Sequence, residues 1–410
     1  MNTKNSNHIK LFGKIPGKTK SFFIPLLLLV FIGTFISCNK PDTSVLTPKP
    51  VAAFSFNIPT PDVGQTIVFS NSSTDANSYN WDFGDGGTST DLNPTHAYST
   101  PDTYTIKLTA KNLSGDLSLA SKNIVVHGTI VQSSGIPDHL KSVSFTDASN
   151  GWAVGDGGKI VSTKDGGASW SIQSSGTTYR LYGVSFGSST TGWAVGFAGK
   201  VLVTTDGGTS WNTQLNGVQN VDYNAVKFIN TSNGWAVGNT GIIISTNNGG
   251  SSWSAQPSGT TNDLHGVSFV DASNGWAVGS SGIIISTNNG GLSWNSLSSG
   301  TTAVLTAVFF INSSTGWVVG ENGLILNTTN GGASWSGQSN SNGNHLYSVS
   351  FANASTGWAV GNGTFLYTSN GGTTWVNMNT VPKALWGVTS LPNSTVAWAV
   401  GESGTILKYK

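Results

Sequence analysis

Charged residues, arginine and cysteine are scarce in this chain. Only 9% of its 410 residues are Asp, Glu, Lys or Arg, whereas soluble domains carry roughly 25%. Glutamate occurs only at Glu321 and Glu402, which argues against long helices stabilised by exposed ion pairs. The one cysteine, Cys38, excludes a disulfide within the chain. The one arginine, Arg180, excludes a site that needs several guanidinium groups.

The few basic residues are concentrated at the N-terminus. The formal net charge is +1, but Lys4, Lys10, Lys14, Lys18 and Lys20 all precede an apolar segment typical of a signal for export. Without these five lysines, 14 basic residues face 18 acidic ones. No basic stripe remains, so we expect no nucleic acid among the partners.

The apolar segment covers residues 21–37 and ends at Cys38. It is short for a membrane-spanning helix and follows a lysine-rich stretch. This arrangement resembles a bacterial lipoprotein signal, which implies a leader over residues 1–37, lipidation of Cys38 and a proline-rich linker over residues 38–50. The protein is then anchored in the cell envelope and faces the periplasm or the cell surface. An uncleaved anchor or an ordinary signal peptide remains the alternative.

Residues 51–127 show short alternating apolar stretches separated by Asn, Asp, Gly and Pro, which predicts a β-sandwich. The segment 81–86 reads WDFGDG and is followed by PTHAY at 94–98. These motifs resemble the polycystic kidney disease (PKD) domain family, which implies an Ig-like sandwich that serves as a spacer or interaction module. Asp82 and Asp85 are predicted to bond the backbone of the turn, and a calcium site made by them is the alternative.

The remaining chain consists of repeats of about 41 residues, each with four apolar stretches and a GWAVG element. The tryptophans of this element are Trp152, Trp193, Trp235, Trp276, Trp317, Trp358 and Trp398. Four strands per unit at this period are typical of propeller blades, so the sequence predicts an all-β protein with a seven-bladed β-propeller over residues 129–410.

The last repeat ends after its third strand, at the C-terminus of the chain. The missing fourth strand is predicted at the other end of the repeats, because TIVQSSG at 129–135 matches the stretch SIQSSG that follows Trp170. Pairing of this segment with the last repeat would close the ring and remove its exposed edges.

The turn D/N-G-G-x-S/T-W resembles the Asp-box of bacterial neuraminidase repeats, and the whole unit is similar to the photosystem II stability/assembly factor propellers. That family implies an assembly chaperone for membrane complexes rather than an enzyme. The first turn position holds Asp165 and Asp206 in two repeats but asparagine in four, at Asn248, Asn289, Asn330 and Asn370. A capping turn tolerates this exchange, whereas a catalytic acid does not.

The sequence supports an enzymatic function less well than a binding function. Sialidases resemble one another in holding the substrate carboxylate with three arginines, and this chain has one. Another polysaccharide-degrading glycoside hydrolase needs a pair of carboxylates, for which Asp138, Asp222 and Asp263 are candidates. No motif for a metal, nucleotide or other cofactor is present, so we expect none.

Comparing the repeats locates a candidate binding surface. Two columns flank the conserved first residue of the first strand, and their side chains vary between repeats. In propellers this strand is innermost, so both columns are expected around one mouth of the channel; unselected loop variation is the alternative reading. The predicted binding residues are His139, Lys141, Arg180, Tyr182, Asp222, Asp263, His265, His345, Tyr347 and Trp386. The sequence thus favours a membrane-anchored scaffold that binds an envelope protein or polysaccharide through this face.

Overall fold

The computed structural model describes residues 47–214, 220–340, 343–378 and 382–410. Within these ranges the regular elements are β-strands and single 3-10 turns, so the predicted all-β class is confirmed. In this part of the chain no helix has the length and apolar character needed to cross a membrane. The apolar segment 21–37 and Cys38 lie outside the described residues.

The N-terminal strands form a sandwich of two antiparallel sheets, ordered β1-β2-β5 and β4-β3-β6-β7. The strands are β1 (Phe54–Phe56), β2 (Ile67–Asn71), β3 (Ser78–Asp82), β4 (Thr88–Ser89), β5 (Thr95–His96), β6 (Thr103–Lys111) and β7 (Leu117–Val125). Alternate residues of these strands point inward, and Phe69, Trp81 and Ile106 are fully buried in the shared core.

The WDFGDG segment forms a tight turn held by its own aspartates. Gly84 and Gly86 have positive φ angles of 85° and 92°, which favour glycine. Asp82 Oδ1 accepts the Gly84 N–H at 2.9 Å, and Asp85 Oδ1 accepts the Gly87 N–H at 2.9 Å. Both aspartates therefore serve the turn, as the sequence predicts for these residues.

The repeats fold into seven four-stranded antiparallel sheets, here called sheets 1 to 7. Sheet 1 contains β9 (Leu140–Phe145), β10 (Gly151–Gly155), β11 (Ile160–Thr163) and β12 (Ser171–Gln173). Sheet 2 contains β13 (Leu181–Phe186), β14 (Gly192–Gly196), β15 (Val201–Thr204) and β16 (Asn212–Thr213). Sheet 3 contains β17 (Tyr223–Phe228), β18 (Gly234–Gly238), β19 (Ile243–Thr246) and β20 (Ser254–Gln256).

Sheets 4 to 7 repeat this order. Sheet 4 contains β21 (Leu264–Phe269), β22 (Gly275–Gly279), β23 (Ile284–Thr287) and β24 (Asn295–Leu297). Sheet 5 contains β25 (Leu305–Phe310), β26 (Gly316–Gly320), β27 (Ile325–Thr328) and β28 (Ser336–Gln338). Sheet 6 contains β29 (Leu346–Phe351), β30 (Gly357–Gly361), β31 (Thr364–Thr368) and β32 (Val376–Asn377). Sheet 7 contains β33 (Leu385–Ser390), β34 (Ala397–Gly401), β35 (Thr405–Tyr409) and, from the start of the repeats, β8 (Thr129–Ser133).

A 3-10 turn links the second and third strands in six of the sheets. These turns are Asp156–Gly158, Phe197–Gly199, Asn239–Gly241, Ser280–Gly282, Glu321–Gly323 and Glu402–Gly404. The middle residue of each turn has a positive φ angle, although it is glycine only at Gly157. At Ala198, Thr240 and Ser403 the backbone N–H of this strained position donates to a side chain of the neighbouring repeat.

Tryptophan and phenylalanine join consecutive sheets. Trp193 of sheet 2 stacks on Phe228 of sheet 3 with ring centres 3.4 Å apart, and its indole N–H donates to the Gly249 carbonyl at 3.2 Å. Equivalent stacks join Trp152 to Phe186, Trp235 to Phe269, Trp276 to Phe310, Trp317 to Phe351 and Trp398 to Phe145. The repeated tryptophan therefore forms the apolar core between sheets, where each stacked pair adds to the burial free energy.

Strand β8 pairs with the C-terminal strand β35 from Thr129, opposite Tyr409, to Ser133, opposite Thr405. Gln132 of β8 accepts the indole N–H of Trp170 at 3.3 Å, as Gln173 of β12 accepts that of Trp211 at 3.2 Å. Strand β8 thus occupies the outer position that the fourth strand holds in the other sheets. Strand β33 of sheet 7 also packs against β9 of sheet 1.

The sandwich and the repeats meet at a short connection. Gly128 and Lys410 exchange backbone hydrogen bonds at 3.0 and 3.1 Å, and the Lys410 ammonium lies 3.4 Å from an Asp102 carboxylate oxygen. His127 accepts the Val63 N–H through its carbonyl and lies near the ring of Tyr409, with centres 6.0 Å apart. Residues Pro48–Lys410 accordingly form one compact unit.

Candidate functional site

The second residues of the seven first strands line a single cavity of about 220 Å³. We call this set the mouth ring. Its members are Lys141, Tyr182, Asn224, His265, Thr306, Tyr347 and Trp386. All seven side chains are half-buried, which leaves part of each accessible from the channel. The structure therefore brings together the five predicted residues of this column, and Asn224 and Thr306 complete it.

Trp386 is the centre of a cationic and aromatic cluster on the ring. The Lys141 ammonium lies 3.5 Å from the centre of the Trp386 ring, a close cation–π contact. The His139 ring meets Trp386 edge-on, with centres 5.0 Å apart. Burial lowers the pKa of Lys141, Arg180 lowers it further and Asp156 opposes both effects. Lysine thus covers one face of the tryptophan.

The polar members of the mouth ring are held by the neighbouring repeat. Asn224 donates to the Leu264 carbonyl at 2.9 Å, and Thr306 donates to the Leu346 carbonyl at 2.7 Å. These bonds run from one first strand to the next and fix the side chains at the mouth.

His265 is also held in place, through a hydrogen bond of 3.0 Å with the Ser280 hydroxyl. Burial lowers the pKa of His265, while Asp263 and Glu321 oppose this effect. A lowered pKa favours the neutral imidazole at physiological pH. Because Nε2 is used by Ser280, His265 can offer Nδ1 to a ligand as either a donor or an acceptor, depending on the tautomer.

The residues that precede the first strands contact the 3-10 turns instead of the cavity. Asp222 Oδ1 accepts the N–H of Ala198 at 2.9 Å, and Asp263 Oδ1 accepts the N–H of Thr240 at 2.7 Å. Ala198 and Thr240 are the positive-φ residues of the preceding repeats. These carboxylates thus cap strained turns, and neither residue is among those that line the cavity.

His139 has the same role, since its Nδ1 accepts the N–H of Ser403 in sheet 7 at 3.0 Å. Arg180 instead places its Nε 3.5 Å from Asp156 Oδ1 in the turn of sheet 1. The carbonyl of His345 accepts the N–H of Asn362 at 2.9 Å. Of the ten predicted binding residues, His139, Arg180, Asp222 and Asp263 therefore contact the turns through their side chains, whereas His345 contacts Asn362 through its backbone.

The Asp-box turns are closed by their own side chains. The Asp165 carboxylate accepts hydrogen bonds from the Ser169 hydroxyl at 2.5 Å, the Ser169 N–H at 2.9 Å and the Thr163 hydroxyl at 2.7 Å. These bonds, led by the one from the Ser169 hydroxyl, lower the pKa of Asp165. Asn248 makes the corresponding bonds with Ser252. The exchange of aspartate for asparagine between repeats is thus explained by a capping role.

Two features of the site were missed by the sequence analysis. The sequence does not indicate that Asp156 pairs with Arg180 or that Lys227 lines a second cavity, beside the ends of the first strands. Comparing the fifth residue of each first strand would have found Lys227, because four repeats carry serine there. Among the described residues no group of three His, Cys, Asp or Glu side chains could hold a metal ion.

Curated proteins resemble only a small part of the chain. Collagenase ColA of Bacillus cereus is 49% identical over 49 residues, which is 12% of this chain and 5% of that protein. A microbial collagenase of Vibrio alginolyticus is 41% identical over 69 residues, 16% of this chain and 8% of that protein. The chain thus spans less than a tenth of the length of these curated relatives.

Solved structures resemble the repeats in fold. A structure of YCF48 bound to D1 peptide superposes with a TM-score of 0.59 at 23% identity, covering 69% of this chain and 94% of that one. YCF48 from Cyanidioschyzon merolae gives a TM-score of 0.60 at 22% identity, with 69% and 98% covered. The GH74 enzyme of Niastella koreensis gives 0.55 at 14% identity, with 68% and 53% covered. At these identities the likeness shows the β-propeller fold alone.

Family models identify both parts of the chain. Residues 47–126 match the PKD domain, which confirms the resemblance of the WDFGDG segment. Residues 131–211, 173–261 and 256–340 match the model described as photosynthesis system II assembly factor YCF48. These overlapping matches run from 131 to 340, just over half of the 410 residues. The chain therefore belongs to the family of the photosynthesis system II assembly factor YCF48 and carries a PKD domain ahead of its propeller repeats.

Proposed function

We propose that the seven sheets are the blades of one closed seven-bladed propeller, and that this propeller is a binding module for a polypeptide partner. The observation that carries the proposal is the mouth ring, in which seven half-buried and chemically different side chains surround one opening. The tryptophans and glycines between the sheets repeat, whereas the ring differs in every sheet except for its two tyrosines. A variable, partly desolvated ring on a constant scaffold is suited to specific recognition.

The size of the opening favours a surface contact over an enclosed substrate. The cavity holds about 220 Å³, below the roughly 300–1,000 Å³ of pockets that enclose small molecules. Tyr182 and Tyr347 offer rigid aromatic surface with a polar tip, and His265 offers one ring nitrogen as a donor or an acceptor. Such a ring can receive one or two side chains of a polypeptide lying across the mouth.

The contact between Lys141 and the ring of Trp386 favours a polypeptide over a polysaccharide as the ligand. Sugar recognition commonly uses an open aromatic face, whereas Lys141 covers one face of Trp386 at 3.5 Å. The family relationship supports the same choice, since a related propeller, YCF48, has been solved bound to D1 peptide. An envelope protein is accordingly the partner we propose, and polysaccharide binding is a separate outcome of the test below.

A glycoside hydrolase is the alternative function. Its candidate carboxylates at Asp222 and Asp263 each hold the amide of a strained turn. A carboxylate engaged in this way is poorly placed to transfer a proton to a leaving group. The likeness to a GH74 enzyme at 14% identity supports the fold only. We therefore propose binding rather than hydrolysis.

We further propose that the protein is exported and anchored in the cell envelope through a lipid on Cys38, with residues 1–37 removed and residues 38–50 as linker. The PKD domain over residues 51–127 would then separate the propeller, residues 129–410, from the membrane. Fractionation of cells tests the anchor. The wild-type chain should sediment with membranes, and Cys38→Ala should not; sedimentation of both variants would contradict lipidation at this residue.

A pull-down from cell envelopes with the full-length chain tests the binding face. The test variant combines Arg180→Ala, Tyr182→Ala, His265→Ala, Tyr347→Ala and Trp386→Ala. The matched control truncates exposed side chains away from the ring, with Val131→Ala, Ile172→Ala, Leu292→Ala and Val376→Ala. A protein captured by the wild type and the control, and lost from the test variant, supports the proposal. Capture by all three would place the interface elsewhere, and retention of polysaccharide alone would replace the polypeptide by a glycan.

A further inference from the structure

We propose that the channel contains a second site, away from the mouth ring, in which Lys227 binds the carboxylate group of a monoanionic ligand. This inference goes beyond the proposed function, because it concerns different residues and a different ligand. Lys227 is the fifth residue of β17, and Asn224 of the mouth ring is the second. Three residues of extended strand separate the two positions by about 10 Å along the channel.

Lys227 departs from a position that five of the other six repeats use for a hydroxyl group. The fifth residues of the first strands are Ser144, Ser185, Lys227, Ser268, Phe309, Ser350 and Thr389. Ser185 accepts the N–H of Phe228 at 2.9 Å, and Ser268 accepts that of Phe310 at 3.1 Å. A protonated lysine has no acceptor with which to make this bond. The exchange thus gives up a bond between sheets and introduces a positive charge.

The charge of Lys227 has no partner in the part of the chain that the structure describes. None of the ion pairs formed there includes Lys227. Burial in the channel lowers the pKa of Lys227, and no charged group counteracts this. Asp147 lines the same cavity, but its Oδ1 already accepts the N–H groups of Ser149 and Asn150. Lys227 is half-buried, and an ammonium group that is partly removed from water without a counter-charge is costly, so an anion brought by a ligand would stabilise it.

The surroundings of Lys227 define the class of ligand. The cavity beside it has a volume of about 510 Å³, enough for a small molecule or the end of a peptide. Ser188 and Ser189 also line it, and their hydroxyl groups can donate hydrogen bonds, whereas the Thr146 hydroxyl already donates to Asp147 Oδ2 at 3.4 Å. One cation balances one negative charge, which favours a monoanion over a phosphate dianion. A carboxylate meets both conditions, because it has a single charge and two oxygens that accept from Lys227 and a hydroxyl group.

Thermal unfolding of the full-length chain with sodium acetate, at constant ionic strength with sodium chloride, tests the site. The key variant is Lys227→Ser, which installs the residue that four other repeats carry and should therefore fold. Lys159→Ser is the matched control, because the Lys159 ammonium already has a counter-charge, the Asp138 carboxylate, with Nζ and Oδ2 3.9 Å apart. Acetate should raise the unfolding temperature of the wild type and of Lys159→Ser saturably, and leave Lys227→Ser unchanged.

Calorimetry with an acetylated dipeptide distinguishes the two sources of a carboxylate. Tighter binding of the free C-terminal acid than of acetate would assign the site to a chain terminus, and binding of acetate alone would assign it to a free small acid. The C-terminal amide should not bind in either case. An equal response of Lys227→Ser, equal binding of the amide, or no response of the wild type to either acid would overturn the proposal. None of these results depends on the mouth ring.

Discussion

The indole nitrogen of Trp335 is buried without a hydrogen-bond partner, and Leu297 holds the position from which glutamine serves the equivalent tryptophan in other repeats. Elsewhere the indole N–H reaches the glutamine of the preceding sheet at 3.2–3.3 Å. The pairs are Trp170–Gln132, Trp211–Gln173, Trp253–Gln214, Trp294–Gln256 and Trp375–Gln338. The interface between sheets 4 and 5 therefore lacks a bond that the protein forms at five other places.

Leu297→Gln should stabilise the protein. The new side chain can accept the N–H of Trp335, and in other repeats the glutamine also donates to a glycine carbonyl, as Gln256 does to Gly290 at 3.0 Å. We expect a gain of about 1 kcal/mol in the free energy of unfolding, the usual net value of a hydrogen bond that satisfies a buried group. Equilibrium denaturation in urea measures it.

The reverse exchange, Gln256→Leu, is the control for this prediction. It should leave the indole N–H of Trp294 without an acceptor and remove the bond to Gly290, which should lower the free energy of unfolding by about 1–3 kcal/mol. If both substitutions change stability in the same direction, the size of the side chain rather than the hydrogen bond governs this position.

Much of the fold could be predicted from the sequence because its interactions repeat. GWAVG in five sheets, and its variants GWVVG and AWAVG in the other two, are fully buried, so one pattern read several times reports the same environment. The match of TIVQSSG with SIQSSG likewise has a physical basis, since Gln132 and Gln173 both accept a tryptophan N–H. Repetition makes such residues visible without an alignment of relatives.

The candidate site was less predictable, because two variable columns that flank the same residue have different environments. The column of Tyr182 and Tyr347 lines the cavity, whereas the column of Asp222 and Asp263 holds the turns. Alternation along a strand separates inward from outward positions, but the residue ahead of the strand belongs to a loop. The direction of its side chain depends on the 3-10 turn of the adjacent repeat. A pattern within one repeat does not show this contact.

Asp222 can be tested as a cap. Asp222→Asn keeps an oxygen that accepts the N–H of Ala198, so its stability should stay within about 0.5 kcal/mol of the wild type. Asp222→Ala removes the acceptor from a turn residue with a φ of 54° and should cost about 1 kcal/mol. Denaturation midpoints of the two variants check this order. Equal stability of the alanine and asparagine variants would show that the carboxylate is free for another role.

Acid stability should depend on the two Asp-box aspartates. Hydrogen bonds from Ser210, first of all the one from its hydroxyl group, lower the pKa of Asp206 to about 2, and the corresponding bonds lower that of Asp165. Folded-state values below the ordinary 3.8 give stability that is present above pH 3.8 and is lost as the pH falls towards the lowered values. The double exchange Asp165→Asn and Asp206→Asn should lose less stability than the wild type between pH 4 and pH 2. Denaturation at these two pH values measures the difference.

His127 should make the junction between sandwich and propeller sensitive to mild acid. Burial lowers the pKa of His127, and Asp62 only partly counteracts this. The unfolded chain therefore binds a proton at a higher pH, near 6.5, than the folded chain does, so the free energy of unfolding should fall as the pH drops below about 6.5. His127→Gln should lose less stability between pH 7.5 and pH 5.5 than the wild type in urea denaturation. His139→Gln is the control. If both variants lose as much stability as the wild type, another group causes the acid sensitivity. His265 would be the next residue to test, because burial lowers its pKa as well.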